Sequence, residues 1–162
     1  MTEKEYIDKI KNVINEETKL SKEYNPNLER LCKVISTNIN SHLKELNIDS
    51  KIINTTDLYD MYEHQFIISS YKDDNNNLNY YLIDPTYTQF KHKNNDYHNI
   101  YPTDILCSSK EGIVLGTNLT KKGYSKIDDN DLKRYIGSIL LEPDINKINL
   151  TIEDIILERR QK

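Results

Sequence analysis

The sequence lacks several features that would assign it to a class at once. It has two cysteines, Cys32 and Cys107, which are too few for the disulfide framework of a small secreted domain. No apolar run approaches the roughly 20 residues that a membrane-spanning helix requires. The first residues are charged and do not contain the apolar centre of a Sec-type signal peptide. These absences predict a soluble domain from a reducing compartment, either cytoplasmic or exported without a Sec signal.

Basic residues are in the minority. There are 22 Lys and Arg against 26 Asp and Glu, which gives a net charge of −4. A nucleic-acid-binding domain usually carries a basic patch or stripe, so we expect no nucleic-acid partner. Neither C-x-x-C nor H-x-x-x-H spacing occurs, so we expect no metal site and no cofactor. The 162 residues contain no internal repeat and predict one domain, residues 1–162, whose oligomeric state the sequence leaves open.

Apolar residues with helical spacing predict two N-terminal helices. The first covers residues 3–20. The second follows a cap at Asn25, before Pro26, or at Asn27, and its apolar stripe runs from Leu28 to Leu46 with Cys32 on it, one to two turns from the start of the helix. This order, followed by strands and then further helices, predicts an α+β fold in which the helix of Cys32 packs on an antiparallel sheet. The other predicted elements are a strand at 51–55, a strand at 113–115, a helix at 128–141 with Tyr135 facing inward, and a last helix opened by a capping box from Thr151 to Asp154.

Two strand-like segments, His64–Tyr71 and Leu78–Asp84, flank a loop rich in Asp and Asn. If the hairpin is centred on Asp74, His64 lies directly opposite Asp84. Opposed residues share a face with Cβ atoms about 4.5–5.5 Å apart, so an imidazole would lie beside a carboxylate. A slip of one residue would separate the two side chains. The apolar residues that this register places on the same face are Phe66, Ile68, Leu78, Tyr80 and Leu82.

The order Cys32, His64, Asp84 supplies the residue types of thiol catalysis. A thiol near the start of a helix gains from the helix dipole, which favours the thiolate. A histidine beside it takes the proton, and a carboxylate on the far ring nitrogen fixes the tautomer. The chemistry indicated is attack on an acyl carbon, a thioester acyl-enzyme, and release to water or an amine. The plainer interpretations remain open, since a cysteine on an apolar stripe is commonly a core residue.

This arrangement resembles the transglutaminase-like superfamily of Cys-His-Asp thiol enzymes, which have a papain-like core. There a helix opens with the nucleophilic cysteine, a strand begins with the catalytic histidine, and the next strand ends in Asp-Pro-Thr. The match covers about residues 25–90 and includes Asp-Pro-Thr-Tyr at Asp84–Tyr87. Its continuation to Phe90 is similar to bacterial thiol proteases and deamidases. Residues from about 100 to 162 are expected to form a C-terminal extension to this core.

The resemblance implies a role for each member of the triad. Cys32 would be the nucleophile, His64 the general base and acid, and Asp84 the residue that orients His64. The sequence departs from the usual pattern beside the cysteine, where Leu31 and Lys33 replace Gly or Trp. It also departs two residues after the histidine, where Phe66 stands in place of Trp.

Further candidate residues surround the triad. Acyl transfer needs hydrogen-bond donors for the oxyanion, and the backbone N–H of Cys32 is one candidate. Aromatic side chains are expected to line a groove for the substrate. The other oxyanion-hole candidates are Tyr24, Asn25, Asn27 and Gln89. The groove candidates are Tyr62, Phe66 and Tyr87.

These residues predict a cysteine-dependent hydrolase or acyltransferase that acts on an amide bond of a peptide or protein substrate. Peptidase, glutamine deamidase and transglutaminase activities share the acyl-enzyme step, so the residues do not separate them. Two alternatives stay open. One is a catalytically inactive protein-binding module with a transglutaminase-like fold. The other is a maturation peptidase that needs a partner to recognise a leader peptide.

Overall fold

A computed structural model describes residues 1–24, 31–58, 64–84, 113–114, 129–140 and 144–157. Helices and strands alternate in blocks, which agrees with the predicted α+β class. The helices are α1 (Glu3–Tyr24), α2 (Cys32–Glu45), α3 (Thr55–Leu58), α4 (Asp129–Leu140) and α5 (Ile152–Ile156), with a 3₁₀ turn at Ile145–Lys147. The strands are β1 (Ser50–Asn54), β2 (Gln65–Lys72), β3 (Leu78–Ile83) and β4 (Ile113–Val114).

The sheet has the order β1-β2-β3-β4, and each strand is antiparallel to its neighbour. The β2–β3 loop is closed by Asp73, whose Oδ1 accepts hydrogen bonds from the backbone N–H groups of Asn75 and Asn77, both at 2.9 Å. Asn76 adopts a positive φ of 64°, a conformation that asparagine tolerates better than most residues. The polar loop therefore supplies its own turn chemistry.

Both faces of this sheet are buried, because β2 alternates its apolar side chains between two clusters. One face packs against α1 and α2, and the opposite face packs against α4 and α5. On the α1 and α2 side the sheet contributes Ile67, Tyr71, Tyr81 and Ile83. On the α4 and α5 side it contributes Ile53, Phe66, Ile68 and Leu82.

The predicted hairpin register is wrong by two residues. Ile68 lies opposite Leu82, and Ser70 lies opposite Tyr80, where the sequence analysis paired Ile68 with Tyr80. The side-chain hydrogen bonds of Asp73 centre the turn one residue later than expected. Because two residues are one full strand period, every side chain keeps its predicted face. Leu78, at the strand end, is 53% exposed and is not the core residue that was expected.

The C-terminal helices are tied to each other and to the sheet. The capping box of α5 is confirmed: Thr151 Oγ1 accepts from the N–H of Asp154 at 3.1 Å, and Asp154 Oδ2 accepts from the N–H of Thr151 at 3.0 Å. The N–H of Ile152 donates to Asp129 Oδ1 at 2.8 Å, which joins α5 to the start of α4. These contacts join α4 to α5, and the apolar cluster packs both helices on the sheet. None of the helices described is long and apolar enough to cross a membrane.

Candidate active site

The helix α2 begins at Cys32 itself. The predicted place of the cysteine, one to two turns into the helix, is wrong, because Cys32 occupies the first helical position; the predicted caps, Asn25 and Asn27, lie outside the described residues. Leu31 precedes it as the N-cap and has no side-chain acceptor, so no side chain caps the first turn. The field of a helix is strongest at this end, and Cys32 is half-buried there. The thiol is therefore at the helical position that most favours its ionised form.

His64 lies immediately before β2 and is held by Thr55, which immediately follows β1. The N–H of His64 donates to Thr55 Oγ1, and the N–H of Thr55 donates to the His64 carbonyl oxygen, both at 2.9 Å. This reciprocal pair extends the β1–β2 ladder by one step beyond Asn54 and Gln65. The backbone of His64 is thus fixed at the end of the sheet where α2 begins.

The His64 ring is hydrogen-bonded to Asp84, the residue after β3. His64 Nε2 lies 2.7 Å from Asp84 Oδ2, and the two residues are 1% and 0% exposed. The two-residue shift in register makes them diagonal neighbours on one face rather than directly opposed residues. Diagonal Cα atoms are about 7–8 Å apart, a separation that long side chains span. The juxtaposition expected from the sequence therefore occurs through a different register.

The thiol of Cys32 adjoins the same histidine. It shares a hydrogen bond with the His64 side chain and accepts another from the backbone N–H of Gln65. Burial raises the pKa of the Cys32 thiol, but these two hydrogen bonds and the charge on His64 act in the opposite direction and prevail, so the pKa is lowered. With Nε2 engaged by Asp84, Nδ1 is the nitrogen available to the thiol proton.

The pKa of His64 moves the other way. Burial lowers it, but the charge and the hydrogen bond of Asp84, followed by those of Cys32, raise the pKa to about 9. A thiol of lowered pKa beside an imidazole of raised pKa favours a thiolate–imidazolium pair. Such a pair provides a ready nucleophile and a proton donor in contact with each other.

Tyr135, on α4, completes the cluster and was assigned to the core by the sequence analysis. Its hydroxyl donates to Asp84 Oδ2, the oxygen that also contacts His64. Its ring meets Phe66 edge-on, with centroids 4.9 Å apart. The available signal was a tyrosine among aliphatic residues on a buried helix stripe, because a buried phenol needs a hydrogen-bond partner. Thr55, which the sequence predicts as the last residue of a strand, is a second residue of the site whose hydrogen bond to His64 the sequence does not predict.

The structure describes two of the remaining candidate residues, Phe66 and Tyr24. Phe66 is 0% exposed and belongs to the core beneath Tyr135, so its assignment to a substrate groove is wrong. Tyr24 is the last residue of α1 and is 83% exposed. The other oxyanion and groove candidates, Asn25, Asn27, Tyr62, Tyr87 and Gln89, lie outside the described residues.

Among the residues that the structure describes, no group of three or more His, Cys, Asp or Glu side chains is arranged to hold a metal ion. The polar side chains of the cluster are joined to one another by hydrogen bonds: Cys32 to His64, His64 to Asp84, and Tyr135 to the same Asp84 oxygen.

Comparisons of the chain with protein-family models, with curated proteins and with solved structures give no match. The resemblance to the transglutaminase-like superfamily therefore remains a prediction from the residue pattern.

Proposed function

We propose that this protein is a cysteine-dependent hydrolase or acyltransferase that acts on an amide bond of a peptide or protein. The observation that best supports the proposal is the buried chain of hydrogen bonds from Cys32 through His64 to Asp84. Any buried histidine needs partners for its two ring nitrogens, but the partners of His64 are an acid and a thiol, the two that thiol catalysis uses. The lowered pKa of Cys32 and the raised pKa of His64 are those required of a nucleophile and its proton donor.

In the first step, the Cys32 thiolate attacks the carbonyl carbon of the amide, and the electron pair of the C=O bond moves onto oxygen. The oxyanion needs preorganised donors. The backbone N–H of Cys32 is suited to this, because it belongs to a helix first turn that carries no side-chain cap. The positive end of the α2 dipole lies at the same point and stabilises both the thiolate and the oxyanion.

In the second step, the His64 imidazolium gives its proton to the nitrogen of the leaving group. The C–N bond breaks, an amine departs, and a thioester with Cys32 remains. Water or a second amine then attacks the thioester and gives a proton to His64, and the Cys32 thiolate leaves. Asp84 keeps the ring in the tautomer that both transfers require. Attack by water yields an acid, and attack by an amine yields a new amide.

We further propose that the core is transglutaminase-like. Three features support this: a cysteine at the first residue of a helix packed on an antiparallel sheet, a histidine at the start of β2, and an aspartate at the end of β3. The Asp-Pro-Thr-Tyr sequence that begins at Asp84 adds to them.

The pH dependence of alkylation by iodoacetamide tests the catalytic pair, with Cys32 and Cys107 resolved by peptide mass spectrometry. We expect Cys32 to react well below pH 8.5, the value near which an ordinary thiol titrates, and to lose this reactivity in His64→Ala. His42→Ala is the matched control, since His42 lies on α2 beside Glu17 at 3.1 Å, apart from Cys32. A Cys32 that titrates normally and ignores His64→Ala would overturn the proposal.

The substrate class is tested next, with a mixture of glutamine-containing peptides and a fluorescent primary amine. New peptide ends indicate a peptidase, ammonia release a deamidase, and amine incorporation a transglutaminase. Each signal must vanish in Cys32→Ala. Binding of peptides without any covalent adduct at Cys32 would favour the inactive binding module instead.

A further inference from the structure

Asp84 uses a single carboxylate oxygen for two neighbours. Oδ2 lies 2.7 Å from His64 Nε2 and also accepts a hydrogen bond from the Tyr135 hydroxyl. All three side chains are buried, at 1% exposure or less. A carboxylate oxygen that accepts from two fixed donors is restrained in both rotation and translation. Tyr135 therefore acts on the same atom through which Asp84 acts on His64.

Packing does not require the hydroxyl of Tyr135. Its ring lies in an apolar cluster with Leu132 and Ile136 from the same helix, and it meets Phe66 edge-on. Phenylalanine would fill that space and keep the ring contact. A buried hydroxyl costs free energy unless it is hydrogen-bonded, so its presence in this cluster is accounted for by its partner, Asp84. The hydroxyl is thus a polar feature of the triad and not of the core.

We propose that Tyr135 is a positioning residue of the site, holding Asp84 Oδ2 against His64 and so maintaining the charged Cys32–His64 pair. The inference rests on the proposed function. Tyr135 lies 51 positions after Asp84, on a helix of the C-terminal extension. A residue of the C-terminal extension therefore acts on the Cys32 nucleophile through Asp84 and His64. Cys32 is fully activated only when α4 is docked on the sheet.

Two effects of losing the hydroxyl have opposite signs. Without the second donor, Asp84 is held less firmly against His64, which weakens the imidazolium and raises the pH at which Cys32 ionises. Loss of the Tyr135 hydroxyl also leaves the Asp84 charge less dispersed. This would strengthen the imidazolium and lower the pH at which Cys32 ionises. The titratable groups that act on His64 are Asp84 and Cys32, and Tyr135 acts through Asp84. A positioning role predicts that the first effect prevails.

The test is Tyr135→Phe, measured by the pH dependence of Cys32 alkylation. We expect the midpoint to rise by half to one unit, which corresponds to an alkylation rate about three- to tenfold lower below the midpoint. Leu132→Ala is the matched control, because Leu132 lies one turn away in the same cluster and carries no polar group. It should lower the melting temperature without moving the midpoint.

The other outcomes overturn the inference. An unchanged midpoint in Tyr135→Phe would reduce Tyr135 to a core residue, and a lowered midpoint would mean that it weakens Asp84 rather than positions it. The proton NMR signal of His64 Nε2–H reports the Asp84 contact independently of Cys32 and should shift or broaden in Tyr135→Phe but not in Leu132→Ala. If wild-type Cys32 titrates normally, the proposed function fails, and this signal still tests the contact.

Discussion

The two faces of the sheet each bury a polar cluster with tyrosine, but the clusters favour opposite protonation states. On the α1 side, the hydroxyls of Tyr6 and Tyr81 bond to Ser69 and Glu3. Burial raises the pKa of both tyrosines, and the hydrogen bond to Glu3 raises that of Tyr81 further. The two phenols therefore stay protonated, and the cluster anchors α1 on the sheet.

The cluster of His64, Asp84 and Tyr135 on the α4 side is also buried, and together with the half-buried Cys32 it does the reverse. Burial disfavours charge on His64 and Cys32 as well, yet Asp84 and the hydrogen bonds around the pair favour the charged forms. The difference lies in the group beside the carboxylate: Asp84 contacts a basic ring, whereas Glu3 contacts a phenol. Burial alone therefore does not decide the protonation state of a group. An opposite charge beside the group can outweigh the preference of burial for the neutral form.

The largest expected effect comes from removing that charge. Asp84→Asn keeps the shape of the side chain but removes the attraction that raises the pKa of His64. Burial then dominates, the imidazolium is lost, and Cys32 loses its partner charge. We expect alkylation of Cys32 at pH 6 to fall about 10- to 100-fold, one order of magnitude for each unit of pKa.

The matched substitution on the other face is Glu3→Gln, which removes a carboxylate that contacts Tyr81. It should leave the alkylation profile of Cys32 unchanged. Equal losses in Asp84→Asn and Glu3→Gln would mean that global stability, and not the Asp84 charge, controls the reactivity of the thiol.

The pH dependence of stability gives the next largest effect. Because His64 has a pKa of about 9 in the folded protein and about 6.5 when unfolded, its stabilising contribution is full below pH 6.5 and disappears as the pH rises through 9. Cys32→Ala and Cys32→Ala/His64→Ala should therefore differ in free energy of unfolding by more at pH 6 than at pH 9.5. Urea titration measures this difference.

The cavity left by His64→Ala is the same at both pH values, so the change with pH isolates the charge. Removing Cys32 from both variants excludes the titration of the thiol. A difference that is constant between pH 6 and 9.5 would show that folding does not raise the pKa of His64.

Tyr6→Phe should have a smaller effect, confined to stability. It removes the hydroxyl that meets Ser69, while Ser69 Oγ still donates to the Asp49 carbonyl oxygen at 2.8 Å. We expect a loss of about 1 kcal/mol in free energy of unfolding, typical of one hydrogen bond, with an unchanged alkylation profile. A shifted profile would mean that the two faces are coupled through the sheet.

The sequence predicted those parts of the site that depend on local periodicity. The period of two in β2 and β3 put His64 and Asp84 on one face even though the register was wrong, because the error was one full period. The register itself depended on hydrogen bonds from Asp73 inside the turn, which a hydrophobic pattern does not contain. The start of α2 at Cys32 was likewise missed, since the apolar stripe begins earlier than the helix.

Tyr135 shows the limit of such reasoning. Its inward position follows from helical spacing, but its contact with Asp84 depends on how α4 docks on the sheet, which is set by Leu132, Ile136 and the strands beneath them. No local pattern links positions 84 and 135. Polar residues that the sequence places inside a core are therefore the ones to examine first when a site is incomplete.

The smallest expected effect comes from substituting Gln65, whose backbone and side chain can be tested separately. Its backbone N–H contacts the Cys32 thiol, while its buried side-chain Oε1 has no hydrogen-bond partner among the described residues. Gln65→Met keeps the backbone contact and removes the unsatisfied acceptor, so we expect a gain of up to about 1 kcal/mol in free energy of unfolding and an unchanged alkylation profile. If stability rises but turnover of a glutamine peptide falls, the side chain contributes to the reaction. Its unsatisfied buried acceptor then lowers stability in exchange for activity. A loss of stability would instead show that the amide is held by a contact that Met does not replace.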